Sequence, residues 1–463
     1  MTNSPLFNEF RAVSTKEWKQ KIQVDLKGAD YNESLIWESP EGIKVKPFYN
    51  HDDSKDLPLQ TSNSGNSWQI TAPIYAGEAQ AANKSMLHVL HKGATCLWVT
   101  IPETTISVNT LCKGVTELVK SIHFTLHFLD AVYVAKIVTY FEATDIQLYF
   151  HIDPIGKLTA EGNWHTGLVQ DFSVLEELLE TNQNNANVNV LGVSVAGYQN
   201  AGATITQQLA YALAHANEYL NYFYQKGKIN TVTGLTFSVA VGGNYFFEIA
   251  KLRALRLLWD GLCAEYEVKI PCTIIAQPTK RNKTIYDYNV NMLRTTTEYM
   301  SAILGGANYV STLAYDAIYH KSNAFGERIA RNQLLLLKHE SYFDQVENTA
   351  DGSYYIESIT HQLAEKSLMI FKQLETQGGF LSQLKAHVIQ KKITESAAKE
   401  QAAFNAKEEV LIGANAQPNL SDKMKGELQL YPFVKQNPRK TLIAPIIEKR
   451  LAAPSEEKRL EDE

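Results

Sequence analysis

The sequence predicts an α/β fold, a (β/α)8 TIM barrel that carries an N-terminal arm and a helical C-terminal extension. From residue 187 onward, near-continuous apolar strands alternate with helices, a pattern typical of a parallel sheet covered by helices. Four such units follow several earlier strands, and their strands begin about 35 to 50 residues apart, which favours a closed barrel over an open doubly wound sheet. The length of 463 residues fits one large barrel with extensions, although length alone also allows about two to four separate units.

Residues 1–60 are predicted to form an arm outside the core. Ser14 and Glu17 have the spacing of a capping box, in which each side chain binds the backbone N–H of the other residue. They predict a helix over 15–26. Gly28 would end this helix, because glycine readily takes the backbone conformation found just after a helix.

Three strands are predicted between a polar stretch at 61–67 and residue 155. All three are rich in β-branched and aromatic residues, which favour the pleated surface of a sheet. The three strands are 94–101, 132–141 and 145–152. Asp153 and Pro154, directly after the last of them, indicate a turn.

Four strand and helix pairs make up the regular part of the chain. The strands are predicted at 188–197, 235–241, 272–277 and 308–314, and the helices near 204–225, 244–266, 285–304 and 326–340. Thr204 and Gln207 can cap the first of these helices as a capping box. An apolar stripe on the same helix indicates the face that packs on the sheet: Ile205, Leu209, Leu213, Ala216 and Leu220.

The chain after residue 357 is predicted to be mostly helical. Gly378 and Gly379 separate two long helical patterns. The stretch at 408–415 is a candidate for a late strand. The part from 416 onward is rich in proline and charge, and we expect a linker or a segment that wraps the surface.

Composition excludes several classes of partner. A net charge of −6 and a pI near 6.1 argue against nucleic acid or an anionic membrane as the main partner.

The four cysteines are scattered without a CxxC pair, so we expect reduced thiols and neither disulfides nor a zinc site. No apolar run reaches about 18 residues and the first residues do not resemble a signal peptide, so a cytoplasmic protein without a membrane span is expected.

Neither a metal site nor a glycine-rich phosphate loop is predicted. Two histidine pairs have spacings that could ligate a metal, His88 with His91 and His123 with His127, but no carboxylate or third ligand accompanies them. Ordinary histidines are therefore expected. The stretch at 241–246 places two glycines between a strand and a helix, and a tight turn is favoured over a phosphate cradle because neither GxxxxGK[ST] nor GxGxxG occurs.

Basic residues occur in two places in the regular region. Those of one helix are expected on a solvated face or in ion pairs with the next helix: Lys251, Arg253 and Arg256. A polar, basic loop at 276–284 directly follows a strand, so in a barrel it lies at the end where active sites form. Its Arg281 and Lys283 could attract a phosphate-bearing ligand, and a plain solvated turn is the alternative.

Several blocks of the sequence, in their order along the chain, resemble the methylmalonyl-CoA mutases. The quoted blocks are "STKEWKQKIQVDLKGADYNESLIWESPEGIKVKPFY", "SVAGYQNAGATITQQLAYALAHANEYL", "GGNYFFEIAKLRALRLLW", "YDYNVNMLRTTTEYMSAILGGANYVST", "RIARNQLLLLKHES" and "ADGSYYIESITHQLAEK". The resemblance implies a (β/α)8 barrel that threads CoA along its axis. It also implies a separate flavodoxin-type domain for adenosylcobalamin, and a radical rearrangement that exchanges the carbonyl-CoA group and a hydrogen.

The sequence departs from the family's catalytic pattern in two loops. In active members a tyrosine is followed by histidine, whereas here Tyr198 is followed by Gln199 and the loop is two residues shorter. Glutamine can donate a hydrogen bond but cannot titrate as histidine does. After the strand at 272–277, Gln277 matches the family motif, but the arginine and histidine of that motif are absent. We therefore expect degenerate catalytic positions at Tyr198, Gln199 and Gln277, and no catalytic residue.

The family's cobalamin signature, Asp-x-His-x-x-Gly, occurs nowhere in the sequence. Residues 450–459 are similar to the segment that leads from the barrel to the cobalamin domain, and the sequence ends four residues later. We expect no cobalamin-binding domain and no cofactor bound by this chain. These departures match the small (β) subunit of heterodimeric members, which implies a large (α) subunit as partner, with adenosylcobalamin on that partner.

The leading hypothesis is a non-catalytic barrel subunit that stabilises the large subunit of a methylmalonyl-CoA mutase of propionate metabolism. The chain then divides into a docking arm at 1–60, the barrel with its following helices at 61–415, and a tail or linker remnant at 416–463. One alternative is an active acyl-CoA mutase barrel with its cobalamin domain on a separate chain. Another is a regulatory barrel that binds a residual CoA ester, with weak candidate contacts at Tyr198, Gln277, Lys280 and Arg281.

Overall fold

A closed barrel of eight parallel strands forms the centre of the structure, and it confirms the predicted (β/α)8 fold. The computed structural model describes residues 9–11, 13–53, 67–434 and 438–463. Within these ranges, none of the helices combines the length and the apolar character needed to cross a bilayer.

In the described ranges, ten strands belong to two sheets. They are β1 (Trp37–Glu38), β2 (Lys44–Val45), β3 (Gln69–Tyr75), β4 (Cys96–Ile101), β5 (Ser121–Leu126), β6 (Gln147–Ile152), β7 (Val188–Ser194), β8 (Leu235–Val241), β9 (Cys272–Pro278) and β10 (Tyr309–Ser311). Strands β1 and β2 pair antiparallel in the arm. Strands β3 to β10 follow one another around the barrel in chain order, and β10 pairs with β3 to close the ring.

Helices follow the barrel strands and continue beyond them. They are α1 (Thr15–Asp25), α2 (Tyr31–Leu35), α3 (Ala79–His91), α4 (Val108–Leu111), α5 (Ala131–Phe141), α6 (Pro154–Glu161), α7 (Leu168–Asn182), α8 (Ala196–Asn200), α9 (Ile205–Gln225), α10 (Tyr245–Glu265), α11 (Val290–Leu304), α12 (Ala324–His339), α13 (Tyr354–Thr376), α14 (Gly379–Lys385), α15 (Val388–Asn405) and α16 (Ala453–Asp462). Short 3-10 turns lie at His51–Asp53 and Ile229–Thr231.

Helix α9 forms where the sequence predicts it. Thr204 and Gln207 make the capping box, each binding the other's backbone N–H. The residues of the predicted stripe are all buried. Helix α9 packs most closely on α13 and α10, so it belongs to the outer layer that covers the barrel wall. The capping box predicted for α1, between Ser14 and Glu17, is also present.

The prediction of a strand at 132–141 is wrong, because these residues form helix α5. The side chain of Asp130 caps the helix by accepting a hydrogen bond from the backbone N–H of Tyr133. Tyr133, Ile137 and Phe141 are buried and lie four residues apart, which is the spacing of one helix face. An apolar run of this length suits either a buried helix or a strand, and the local pattern does not separate the two.

Two barrel strands were absent from the sequence predictions, β3 and β5. Both alternate apolar residues, which face the surrounding helices, with polar ones such as Thr71 and His123, which are fully buried inside the barrel. The polar positions interrupt the apolar run that indicates a buried parallel strand. The sequence signal for these strands is therefore weak.

The C-terminal part differs from its prediction in two ways. The first long helix is confirmed as α13, but the second is broken into α14 and α15 at His387, whose φ is 60°. The late strand predicted at 408–415 is wrong: Ile412 makes one isolated bridge to Ala416 and no strand forms. The turn at His387 redirects the chain so that α15 lies against the loop after β7, where Ser396 donates a hydrogen bond to the carbonyl of Gly202.

The arm and the tail both contact the barrel. Glu41 of the arm accepts hydrogen bonds from the backbone N–H groups of Ile205 and Thr206, at the start of α9. In the tail, the backbone N–H of Ile446 binds the carbonyl of Thr159, and that of Leu451 binds the carbonyl of Arg281. The tail therefore crosses the end of the barrel at which the strands finish.

Candidate functional site

Aromatic side chains meet on the axis of the barrel. Strands β6 and β10 stand on opposite sides of the eight-stranded ring, yet the rings of Tyr149 and Tyr309 are only 5.3 Å apart between centroids. His123 of β5 lies 4.5 Å from the Tyr149 ring and 4.3 Å from the Tyr309 ring. Trp98 of β4 stacks on His151 at 5.3 Å. Side chains from four strands thus fill the space that the strands enclose.

His123 and His151 form a hydrogen-bonded pair inside this cluster. The Nδ1 atom of His123 is 2.9 Å from the Nε2 atom of His151. Burial lowers the pKa of His123 well below its ordinary value and that of His151 to about 4, so both imidazoles are neutral near pH 7. His123 thus meets His151 rather than His127, the partner that the sequence spacing suggested for a metal. Across the described ranges, no three His, Cys, Asp or Glu side chains converge on a metal position.

Tyr198, at the first degenerate position, lies on the short helix α8 just after β7. Its hydroxyl is 2.9 Å from Nδ1 of His215, and its ring contacts Tyr211 and Phe380 in the outer helical layer. The side chain is almost completely buried. Burial, together with the negative charge of Asp153, raises the pKa of Tyr198 well above its ordinary value, so the phenol stays protonated.

A buried network continues from Tyr198 to Asp153. Nε2 of His215 is 2.8 Å from Oδ1 of Asp153, and the hydroxyl of Tyr219 donates to the same oxygen at 2.7 Å. The other carboxylate oxygen accepts from the backbone N–H of Ser194, at the end of β7. Burial alone would raise the pKa of Asp153, but the charge of His215 and these hydrogen bonds lower the pKa overall. Asp153 therefore joins β6, β7 and α9 and does more than make the turn that was predicted.

Gln199, the second degenerate position, is enclosed by a buried ion pair. Its Nε2 donates to Glu248 at 3.3 Å, and its Oε1 accepts from Nζ of Lys251 at 2.9 Å. Lys251 also donates to the carbonyl of Ala240 at 2.7 Å and forms an ion pair with Glu248. Both side-chain functions of Gln199 are therefore used within the protein.

The solvated face predicted for the basic residues of α10 is wrong. Arg253 does form ion pairs, but with α13 and the loop before it and not with the next helix, α11. All three basic side chains, Lys251, Arg253 and Arg256, are buried. Arg253 pairs with Asp351 and Glu357. Arg256 donates to the backbone carbonyls of Cys272 and Gly306. Charges buried in this way need partners. Here α10, α13, the start of β9 and the loop before β10 supply them.

The basic loop after β9 is largely buried, so the plain solvated turn is wrong. Lys283 is buried with Glu298, 2.7 Å away. Arg281 is also buried; its Nε donates to Glu400 of α15 at 2.6 Å and its Nη1 to the carbonyl of Lys449 in the tail. Lys280 is exposed, 3.9 Å from Glu448.

The structure brings only some of the predicted site residues together. Asn200 accepts from the hydroxyl of Thr279 and the backbone N–H of Lys280, so the loops after β7 and β9 are joined. Gln277 is half-buried at the end of β9, whereas the ring of Tyr198 packs into the outer layer. Contacts of a CoA ester with these residues stay a prediction.

The network at Asp153 was not found from the sequence. His215 lies 17 residues after Tyr198 and 62 residues after Asp153, and no local motif links positions so far apart. Asp153, Tyr198, His215 and Tyr219 are hydrogen-bonded to one another and shielded from solvent. This network can hold the loops in place, but its own side chains are not exposed to a substrate.

Comparison with known proteins relates most of this chain to one family. The family model for methylmalonyl-CoA mutase matches residues 124–450. The methylmalonyl-CoA mutase small subunit of Porphyromonas gingivalis is 33% identical over 455 residues, covering 90% of this chain and 72% of that protein. The small subunit of Streptomyces virginiae is 25% identical, with the same coverage of both chains.

The large subunit from Porphyromonas gingivalis matches a shorter stretch. It is 31% identical over 249 residues, which covers 52% of this chain and 35% of the large subunit. The two named small subunits thus match over more of this chain than this large subunit does.

Proposed function

Because the chain belongs to the methylmalonyl-CoA mutase family, we propose that it is a small subunit that stabilises a catalytic large subunit without reacting itself. The filled barrel axis is the observation that carries this proposal. The family resemblance implies that CoA threads along this axis, but here Tyr149 and Tyr309 touch across it. A pantetheine chain could enter only if these rings moved.

The loops at the C-terminal end of the strands give further support. Gln199 is held by Lys251 and Glu248, and Tyr198 is buried against His215. Moving either side chain toward a substrate would leave a buried charge or hydrogen-bonding group unpaired, at a cost of about 1–3 kcal/mol or more. The loops are therefore suited to a scaffold.

The proposal assigns adenosylcobalamin to the partner subunit. No Asp-x-His-x-x-Gly segment is present in the sequence to hold the cofactor here. When bound on the partner, the cofactor supplies the radical chemistry of the mutase. We include a cytoplasmic complex in the proposal, and the four free cysteines support it.

The test compares this chain alone, the large subunit alone and the two expressed together. Conversion of methylmalonyl-CoA to succinyl-CoA is measured with added adenosylcobalamin, and assembly by sedimentation. We expect no turnover from the isolated chain, and an active heterodimer with a higher thermal midpoint than the large subunit alone. Turnover by the isolated chain would instead identify an active barrel, and a large subunit equally active and stable alone would contradict the stabilising role.

The arm offers a surface for the partner. Helix α1 buries none of its own residues, and Trp18 and Val24 on it are exposed. An isolated helix of 11 residues is marginal in water, so tertiary contacts are needed to hold it. Trp18 contacts Phe48 edge-on, but half of its surface is open. We propose that the large subunit covers this face.

Replacing Trp18 by Ala is expected to raise the dissociation constant for the large subunit by roughly 30-fold, because a large aromatic anchor buried at an interface contributes about 2 kcal/mol. Calorimetric titration measures the constant. The thermal midpoint of the isolated chain should hardly change, since α1 lies outside the core. Gln20→Ala on the same exposed helix is the control and should bind normally; equal binding by both variants would argue against docking through α1.

A further inference from the structure

A cavity of about 250 Å³ lies outside the barrel wall, away from the aromatic cluster on the axis. It is enclosed by β3, α3, α12 and the loop that follows β10. Its inner part is apolar, lined by Ile70, Ala72, Val89 and Ala330. Leu430 of the tail lies over it, held by the backbone N–H groups of Gln429 and Leu430, which both bind the carbonyl of Tyr319.

Arg331 of α12 lines this cavity and is 94% buried, with a relative exposure of 6%. Among the described residues, no hydrogen bond or ion pair reaches its guanidinium, and its Nε is fully shielded from solvent. Burial lowers the pKa of Arg331, although the charge of Glu327 opposes this, and the side chain remains a cation. The hydrogen-bonding positions of this buried guanidinium are therefore unused within the protein, and a ligand that accepts hydrogen bonds could occupy them.

The neighbouring acidic groups are already engaged. Asp316 accepts from Asn323 at 2.7 Å and is 3.2 Å from Nδ1 of His320. Glu327 accepts a hydrogen bond from the hydroxyl of Ser322. Both carboxylates line the cavity. Glu327 attracts the guanidinium without binding it, and both carboxylates would repel a second negative charge on a ligand.

The size and lining of the cavity limit the ligand further. A dry cavity of about 150 Å³ holds benzene, so this one accommodates about ten non-hydrogen atoms. Coenzyme A and its esters are far larger. The apolar interior favours a hydrocarbon tail, and the fork of the guanidinium favours a carboxylate, which it can bind through two parallel hydrogen bonds.

We propose that this cavity is a binding site for a small monocarboxylate with a short apolar tail, whose carboxylate pairs with Arg331. The site is separate from the barrel axis and from the loops after β7 and β9. It does not depend on the subunit role proposed above. Because Leu430 covers the cavity, a bound ligand also adds contacts to the tail.

Isothermal titration of the full chain with hexanoate tests the site. We expect one saturable site per chain. Hexanamide has nearly the same shape without the charge, so it should bind at least tenfold more weakly because the charged hydrogen bond is lost. Adipate adds a second carboxylate and should also bind at least tenfold more weakly, because Asp316 and Glu327 repel that charge. No saturable heat with hexanoate at millimolar concentration would overturn the proposal, and so would equal affinity for adipate.

The variant Arg331→Met separates binding from folding. It removes the unpaired buried charge, so the ligand-free variant should unfold at the same temperature as the parent chain or higher. Its affinity for hexanoate should fall roughly 10- to 100-fold. Arg328→Met is the matched control, because Arg328 is exposed on the same helix, and it should leave binding unchanged.

A second variant keeps the test valid if Arg331→Met does not fold. Ala330→Leu retains the guanidinium and fills part of the apolar interior, so hexanoate should bind more weakly while acetate, which needs little of that space, should be less affected. Normal hexanoate binding by either folded cavity variant would show that the ligand binds elsewhere and would overturn the assignment.

Discussion

Asp153→Asn is expected to lower the free energy of unfolding by about 1–3 kcal/mol or more at pH 7, the usual cost when a buried hydrogen-bonding group is left unpaired. Both oxygens of Asp153 accept hydrogen bonds, one from His215, Tyr219 and Gly156, the other from Ser194. Asparagine has only one oxygen, so either orientation of its amide places a donor against a donor. Urea unfolding followed by circular dichroism measures the change.

The pH dependence of this effect follows from the direction of the pKa shift. The folded state lowers the pKa of Asp153 below the ordinary value of 3.8. The charged carboxylate therefore contributes stability that is fully present above the unfolded pKa and is lost as the pH falls through the folded pKa. The difference in free energy of unfolding between Asp153→Asn and the parent chain should be constant above about pH 5 and shrink below about pH 4.

Asp130→Asn provides the control for Asp153. Asp130 also caps a helix after a barrel strand, accepting from the backbone N–H of Tyr133. Asparagine caps helices about as well as aspartate, so this variant should lose less than about 1 kcal/mol. Equal losses in both variants would mean that the network with His215 adds nothing beyond the cap.

Lys251→Met is expected to destabilise the chain by about 3–5 kcal/mol, because it leaves the carboxylate of Glu248 buried without its cation. It also removes the hydrogen bonds of Lys251 to Gln199, Gln208 and the carbonyl of Ala240. Chemical denaturation at pH 7 measures the loss. Because these contacts join α10 to the loop after β7 and to α9, amide hydrogen exchange in that loop should also become faster.

The double variant Lys251→Met with Glu248→Leu should regain a large part of that stability, since apolar residues often replace a buried ion pair without loss. A double-mutant cycle gives the coupling between the two charges. Lys392→Met is the matched control, because Lys392 pairs with Glu395 on an exposed helix face, and it should change stability by less than about 1 kcal/mol. Additive effects at Lys251 and Glu248 would contradict the coupling.

Local patterns predicted much of the fold for a physical reason. The capping boxes at Ser14 and Thr204 act over three residues, and the stripe along α9 repeats with the helical period, so the chain itself records them. The run at 132–141 was misread because a buried helix and a buried strand can share one composition. Strand β5 was missed because the residues that face the barrel axis, such as His123, interrupt its apolar pattern.

The candidate site was only partly predictable. Tyr198 and Gln199 were located through resemblance to a family, but their partners were not. His215 and Lys251 lie 17 and 52 residues away from Tyr198 and Gln199 in the sequence, on helices that the barrel fold brings to the loop. Arg281 was expected at the open end of the barrel, whereas α15 and the tail cover it with Glu400 and the carbonyl of Lys449.

The order of strands and helices in the regular region, the predicted helix caps and the family can be read from the sequence alone, since they depend on neighbouring residues or on matched blocks. Which charges are buried, and what each of them contacts, depends on the packing of the folded chain. Lys251 and Arg331 are both basic residues within helices, and the sequence around them does not show that their surroundings differ. Lys251 finds Glu248 and Gln199, whereas Arg331 faces a cavity. That difference arises from packing between elements far apart in the chain, which no local pattern records.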